Sequence, residues 1–358
     1  MPRAVLDMMD RRPIWAMPEW VPDELCDALP SDWELVVIDE ATDGSGDGAT
    51  RVSPGVLAAA AEAEVYFGYG VPAELLEAAP GLRWVHSGAA GVGSSLTTAM
   101  LESSVVFTNS AGIHAPPIAE TVLAMLLFFG RGLDLAVRAQ RTAEWATEPY
   151  YVAGAPLTEL STATVGIIGF GGIGREVARR VASLGARVIA VKRNPARPGE
   201  GNLESVAGGG VLGSRIEMVF GASGLDAVYR ESDAIVVAAP DTEETRGMID
   251  SRAIERMKPG SVLINVARGR LVDEEALIAA LEEGRIRGAG LDVFASEPLR
   301  ADHPLWALPS VLVTPHVSAV TRGFWRREAD LILKNLRRYL HGGALGDWDN
   351  IVDKRAGY

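Results

Sequence analysis

The chain has 358 residues, long enough that two domains are expected rather than one core. Lys and Arg number 34 against 47 Asp and Glu, a net charge of −13, which argues against nucleic acid or an anionic membrane surface as partner while leaving room for a small anionic ligand. The single cysteine, Cys26, excludes an internal disulfide and a cysteine-rich metal site.

The first residues, M-P-R-A-V-L-D-M-M-D, carry acids and no apolar core where a secretory leader would have one, so a cytoplasmic location is expected. The apolar stretch Thr121–Phe129 is too short to span a bilayer. Residues 1–112 read as a smaller α/β unit. Apolar runs at Glu34–Asp39, Val65–Tyr69, Arg83–His86 and Val105–Thr108 suggest buried strands, and Pro54–Ala63 and Pro72–Ala79 have helical period. Ala41–Thr50 is a loop by composition. Ser87–Gly93 (S-G-A-A-G-V-G) is either a backbone N–H cradle for a small carboxylate or a plain glycine turn.

Gly112–Pro117 marks the expected first crossover between domains. Pro116 and Pro117 suit a first helical turn, and the segment behind them is apolar nearly all round, so it should be buried on several sides, within the subunit or at a dimer contact.

The stretch that organises the remainder is T-V-G-I-I-G-F-G-G-I-G-R, from Thr164. An apolar run leads into Gly169, Gly171 and Gly174, an amphipathic segment follows, and a second β-branched run ends at Val191. Strand, glycine turn, helix and strand form the context of a dinucleotide-binding fingerprint. Gly169 permits the tight turn, Gly171 close approach to a pyrophosphate, and Gly174 close packing of helix on strand. Further strands are expected at Ala234–Ala239, Ser261–Ala267, Gly288–Phe294 and Ser310–Thr314, making six with Thr164–Gly169 and Arg187–Val191. Helical patterns lie between them, such as Asp273–Glu283 with Asp273 as N-cap and Gly284 beyond the C-terminus. Asn194–Ser223 reads as an ordered excursion with a flexible part. Phe324–Leu340 has helical period and is expected to return to the first domain, with the site in a cleft between the domains.

Ligands of such sheets bind beyond the carboxyl ends of the strands. Arg268, Glu297 and His316 each follow a strand. Together beside a nicotinamide they suit a 2-keto/2-hydroxy acid couple. An imidazole can move a proton near neutral pH, a carboxylate on its other nitrogen orients the ring, and a guanidinium holds the substrate carboxylate. Asp292, at the end of its strand, is placed to accept a bond from the nicotinamide carboxamide. His303 and His341 read as surface residues, His86 as a core candidate, and Arg270 competes with Arg268. Arg322 and Trp325 are candidates for the substrate pocket, though Trp325 also fits a core position.

The segments G-I-I-G-F-G-G-I-G-R, A-P-D-T-E-E-T-R-G-M-I, I-N-V-A-R-G-R-L-V-D, G-L-D-V-F-A-S-E-P-L and V-T-P-H-V-S resemble the D-isomer-specific 2-hydroxyacid dehydrogenases, from about Ser87 to the C-terminus. The resemblance implies a doubly wound Rossmann cofactor domain (113–318) and a smaller flavodoxin-like α/β substrate domain (1–112 with 319–358). It implies Arg268, Glu297 and His316 as catalytic residues, and Ala90, Gly91 and Arg268 as the substrate-binding set. The implied cofactor set is Gly169, Gly171, Gly172, Ile173, Gly174, Lys192, Arg193, Ala239, Pro240, Thr245, Val266, Ala267 and Asp292. No metal is implied, and a homodimer through the cofactor domain is. Ala119-Glu120 matches the family's pair at the start of the long helix. Three positions depart from the pattern. Gly93 stands where the family often has Asp, and His114 where it often has Asn. Lys192 stands where NAD-using members usually end the second strand in Asp, and Arg193 follows it. Two cations there would attract a 2′-phosphate, so NADP(H) is expected over NAD(H). The leading expectation is an NADPH-dependent reductase of small 2-keto acids of the glyoxylate or hydroxypyruvate type. The alternatives are a nucleotide-sensing corepressor-like protein, or a formate, phosphite or phosphoglycerate dehydrogenase on the same scaffold.

Overall fold

The structure, a computed structural model, describes residues 1–42, 51–193, 210–355 and 357. Two compact units emerge: Met1–His114 with Val320–Tyr358, and Ala115–Ala319. Among the described residues no helix is long and apolar enough to cross a membrane.

The Ala115–Ala319 unit is built on a parallel seven-stranded sheet. Its strands, numbered through the whole chain, are β6 (Thr164–Ile168), β7 (Arg187–Lys192), β8 (Ile216–Phe220), β9 (Ala234–Val237), β10 (Val262–Asn265), β11 (Gly288–Leu291) and β12 (Val311–Val313). They lie in the order β12-β11-β10-β9-β6-β7-β8. The continuous apolar runs follow from burial on both faces. Ile235, Val237 and Leu263 enter one core, while Ala234, Val236, Val262 and Ile264 enter the other. β8 lies inside Asn194–Ser223, which the sequence reading took as an ordered excursion with a flexible part and did not count among its six strands. Residues 194–209 of that stretch lie outside the described residues, as do 43–50 of the Ala41–Thr50 loop.

Two helices on the second face position the glycine turn. Gly172–Ser183 buries Gly174, Val177, Ala178, Val181 and Ala182, a 3–4 spacing that leaves Arg175, Glu176 and Arg179 outside. Ala115–Gly130 packs against it and buries Ile118, Ala119, Val122, Met125, Leu126 and Phe129. Each of these side chains larger than alanine, fully buried, contributes roughly 1.5–3 kcal/mol of transfer free energy. Leu127 stays 37% exposed, so the helix is not buried all round. Glu274–Glu282 begins where expected, with the Asp273 carboxylate accepting from Ala276 N at 3.1 Å, and Gly284 follows at φ +66°.

The other unit holds a parallel sheet of β1 (Arg3–Asp7), β2 (Glu34–Val37), β3 (Val65–Gly68), β4 (Trp84–Ser87) and β5 (Val106–Asn109), in the order β2-β1-β3-β4-β5. That is the flavodoxin-like order. β1 is a second strand absent from the sequence reading. Helix Phe324–Leu340 covers one face, burying Phe324, Trp325, Ile332, Leu333 and Leu336 beside Leu6, Phe67 and Trp84. Trp325, whose Nε1 donates to Trp15 O at 2.9 Å, is a core residue. Under β4, His86 and Glu328 are both fully buried. The imidazole Nε2 lies 2.9 Å from Glu328 Oε1, and the Ser110 hydroxyl, 2.7 Å from Oε2 and 2.9 Å from Oε1, donates to that carboxylate.

Candidate active site

The strand order of the Ala115–Ala319 unit reverses at β6, which has β9 on one side and β7 on the other. That switch point is where open α/β sheets bind ligands. Gly169 sits there at φ +98°, and a Cβ on it would meet Ala238 O at 2.6 Å. At Gly174 a Cβ would lie 2.0 Å from Gly169 O, so helix and turn can approach this closely only without a side chain. Gly171 is different. It is exposed, and among the described residues nothing lies within 4 Å of a Cβ there. A methyl group at that point would occupy space the fold itself leaves open, before helix N–H groups able to receive an anion. Gly172 is exposed, Ile173 half-buried, and both form the first turn of the helix. The residues present therefore fit a dinucleotide pyrophosphate.

Lys192 ends β7, and Arg193 Nη1 lies 2.5 Å from Glu244 Oε2 in an exposed pair. Ala239 is buried and Pro240 exposed just past β9, and Thr245 Oγ1 donates to Pro240 O at 2.6 Å. Val266 and Ala267 are buried past β10.

Arg268 follows them, and Asn265 sets its turn. The Asn265 Oδ1 accepts from Ala267 N at 3.1 Å while Nδ2 donates to Arg268 O at 3.0 Å. The next residue, Gly269, touches the segment after β11 so closely that a Cβ would fall 1.8 Å from the Phe294 carbonyl carbon. This contact brings the Arg268 turn against the segment that carries Glu297. Arg268 is half-buried, its Nη1 donating to Ala267 O at 2.8 Å, and Arg270 is exposed.

Glu297 and His316 come together. Glu297 Oε1 accepts from Phe294 N at 2.9 Å, which fixes the carboxylate, and Oε2 lies 2.7 Å from His316 Nδ1. Both side chains remain partly open, at 35% and 43% exposure. A carboxylate can only accept, so the proton of the neutral ring is assigned to Nδ1. His316 has φ +53°, a left-handed backbone that costs about 1–2 kcal/mol for a residue with a side chain and persists only where the surroundings impose it.

Asp292 has partners the sequence reading did not supply. That reading placed Asp292 at the strand end to accept a bond from the nicotinamide carboxamide. The structure buries Asp292 completely, and its oxygens accept from Thr314 Oγ1 (2.6 Å), Val317 N (2.9 Å) and Ser318 N (3.1 and 3.2 Å). Of the remaining candidates, His303 lies 3.5 Å from Glu274, and exposed His341 meets Arg337 O. Arg322 is exposed in the other unit. In that unit too, Ala90 is exposed and Gly91 half-buried, and the Ala90 carbonyl accepts from Asn109 Nδ2 at 2.8 Å.

Strand order, glycine turn and rim define a Rossmann-type dinucleotide-binding fold. Residues 123–318 match the family model described as "D-isomer specific 2-hydroxyacid dehydrogenase, NAD binding domain". The chain is 35% identical over 283 residues to the D-3-phosphoglycerate dehydrogenase of Mycobacterium bovis, covering 78% of this chain and 49% of that protein. It thus spans about half the length of that relative. It is 34% identical over 278 residues to the glyoxylate reductase of Thermococcus onnurineus, covering 76% of this chain and 77% of that one. A solved D-isomer specific 2-hydroxyacid dehydrogenase from Xanthobacter autotrophicus Py2, in complex with NADPH and MES, superposes with a TM-score of 0.74 at 29% identity over 100% of this chain and 99% of its own. The chain belongs to the D-isomer specific 2-hydroxyacid dehydrogenase family.

Proposed function

We propose that this protein is an NADPH-dependent reductase of small 2-keto acids to D-2-hydroxy acids, of the glyoxylate or hydroxypyruvate type. The observation that carries the proposal is the 2.7 Å pairing of His316 Nδ1 with Glu297 on the rim that also holds the glycine turn. A bound nicotinamide supplies the hydride that forms the new C–H bond. His316, protonated on both nitrogens, gives the Nε2 proton to the carbonyl oxygen as charge develops there, and keeps the Nδ1 proton on Glu297. Glu297 holds the ring in one orientation through the bond to Nδ1. Arg268 binds the substrate carboxylate and polarises the ketone. In the other unit, the Ala90–Gly91 loop offers backbone N–H groups suited to a small carboxylate. The glycine turn with Gly172 and Ile173 holds the pyrophosphate, and Ala239, Pro240, Thr245, Val266 and Ala267 line the cofactor.

Lys192 and Arg193 support NADP(H) over NAD(H). The Arg193–Glu244 pair is exposed on both sides, and an exposed pair is worth at most about 1 kcal/mol, so a 2′-phosphate can compete for the guanidinium. A homodimer through the Ala115–Ala319 unit is supported by Trp145 and Tyr151, 93% and 85% exposed near the half-open Leu127, Leu133 and Val137.

The test is initial rates on a panel of glyoxylate, hydroxypyruvate, 3-phosphohydroxypyruvate, formate and phosphite with each cofactor, for wild type and His316→Ala. Turnover of the small keto acids, at least tenfold better in kcat/KM with NADPH and abolished in His316→Ala, is expected. No turnover of the keto acids, or a clear preference for NADH, overturns the reading.

A further inference from the structure

We propose that Asn109 is a positioning residue for a bound carboxylate, acting through the peptide backbone of Ala90 and Gly91 and held in place by a buried cluster beside it. The inference rests on the reading of that loop as carboxylate-binding. Its geometry is independent of that reading.

The loop has little with which to fix itself. Ser87–Gly93 reads S-G-A-A-G-V-G, with much backbone freedom to lose and few side chains to pack. Its carbonyls are held instead by two residues at the end of β5. Ser110 N donates to Ala89 O at 3.4 Å, and Asn109 Nδ2 donates to Ala90 O at 2.8 Å. Across a trans peptide the carbonyl of one residue and the N–H of the next point opposite ways. Anchoring Ala89 O therefore aims the Ala90 N–H away from β5, and anchoring Ala90 O does the same for the Gly91 N–H. Among the described residues neither N–H donates a bond, and Ala90 is exposed while Gly91 is half-buried. Two successive N–H groups presented on one side of the chain make a concavity for an anion.

Asn109 holds its carbonyl in one orientation only. Its Oδ1 accepts from Ala111 N at 3.3 Å, which leaves Nδ2 as the end that faces Ala90. Its main-chain N donates to Asn350 O, and its main-chain O accepts from Asn350 Nδ2, each at 3.1 Å. Next in the chain, Ser110 Oγ lies 2.7 Å from Glu328 Oε2 and 3.1 Å from Ser87 O, and His86 Nε2 lies 2.9 Å from Glu328 Oε1. His86, Ser110 and Glu328 are fully buried, so three groups that are costly to bury alone satisfy one another. Well-packed apolar residues of similar volume often fill such a space with no loss of stability. The polar cluster instead allows one placement of Ser110, and with it of Asn109.

The test uses Asn109→Ala and Asn109→Asp, with oxamate as the carboxylate probe in the presence of NADPH. Alanine removes the bond to Ala90 O. Aspartate keeps an acceptor for Ala111 N but turns an oxygen without a proton on Ala90 O; being nearly isosteric, it carries the test if the alanine variant fails to fold. In wild type the Gly91 amide, picked out by selective labelling of Ala–Gly pairs, is expected to move downfield in proton–nitrogen spectra as oxamate is added. In both variants that movement should shrink. Loss of a hydrogen bond to a charged group costs about tenfold or more, so the oxamate Kd and the glyoxylate KM are expected to rise about tenfold in Asn109→Ala and further in Asn109→Asp. kcat should stay within about threefold and NADPH affinity within about twofold, whereas a merely structural residue would lower kcat and leave KM in place. A Gly91 amide unmoved by oxamate in wild type overturns the proposal and needs no variant. Wild-type oxamate affinity in Asn109→Ala, or a fall in kcat with KM unchanged, overturns it too. If the wild type turns over no keto acid, yet oxamate moves the Gly91 amide and the variants lose that response, the reductase reading falls and the positioning role stands.

Discussion

Two glycines a single turn apart, Gly171 and Gly174, are expected to fail in opposite ways when a methyl group is added. At Gly174 the new Cβ would lie 2.0 Å from Gly169 O, more than 1 Å inside normal contact, and the obstacle is backbone rather than a movable side chain. Overpacking of this kind costs typically about 1–3 kcal/mol, while alanine in place of glycine in a helix returns up to about 1 kcal/mol. The net is a loss of about 1–2 kcal/mol, or about 2–8 °C in the Tm of a unit of about 200 residues. The turn must also move, so NADPH affinity should drop at least tenfold. At Gly171 no atom of the described residues lies within 4 Å of the added Cβ, and φ is −82°. Gly171→Ala should therefore melt within about 1 °C of wild type while losing NADPH affinity by about 100-fold, because the methyl occupies the place a phosphate approaches. Differential scanning fluorimetry and NADPH fluorescence titration of the two variants decide the matter. A stable Gly174→Ala would refute the close-packing argument, and normal NADPH binding by Gly171→Ala would refute the cradle.

Replacing both Lys192 and Arg193 with alanine should weaken NADPH about tenfold to 100-fold, the worth of charge-assisted bonds to a phosphate, and leave NADH within about threefold. Equal losses for both cofactors in the same titration would remove the 2′-phosphate from the account. Trp145→Asp should shift the protein toward monomer in sedimentation velocity; an unchanged sedimentation coefficient in a monomeric wild type ends the dimer proposal. Asp7 accepts from the Tyr66 hydroxyl at 2.6 Å, and burial holds its carboxyl above the usual carboxylate range despite that bond. A folded state that binds the proton more tightly is favoured below the unfolded pKa of 3.8, and that contribution is lost as pH rises through the folded value. Asp7→Asn, which keeps an acceptor for Tyr66, should therefore gain in Tm over wild type as pH rises from 4 to 7. Parallel melting curves across that range would count against a raised Asp7.

The fold was legible where burial on both faces makes a strand uniformly apolar, and illegible where it does not. β8 reads I-E-M-V-F, with Glu217 and Phe220 exposed at the sheet edge, so no continuous run announces it. β1, R-A-V-L-D, has only three apolar residues in a row, too short a run to announce a strand by itself. At the site, Arg268, Glu297 and His316 could be picked out as ionisable residues following strands. Their spacing says nothing of which atoms meet. The Glu297–His316 contact depends on a left-handed residue, and the engagement of Asp292 depends on a fold-back of residues 314–318 that no local propensity encodes. Glu328 did leave a signal. It falls on the apolar stripe of helix Phe324–Leu340, one turn after Phe324 and one before Ile332, and an acid on that stripe needs a buried partner.

That partner is His86, and the pairing constrains the order in which a ribosome can deliver a finished molecule. The Ala115–Ala319 unit is one unbroken stretch of chain and has all its core once Ala319 has emerged. Residues 1–114 must wait: their sheet keeps His86 without its carboxylate, and one face without Phe324, Ile332 and Leu336, until synthesis passes helix Phe324–Leu340. At about 5–20 residues per second, that is an exposure of tens of seconds for the N-terminal sheet. The early part of the chain is thus the late part of the fold, and helix Phe324–Leu340 is the piece that completes it.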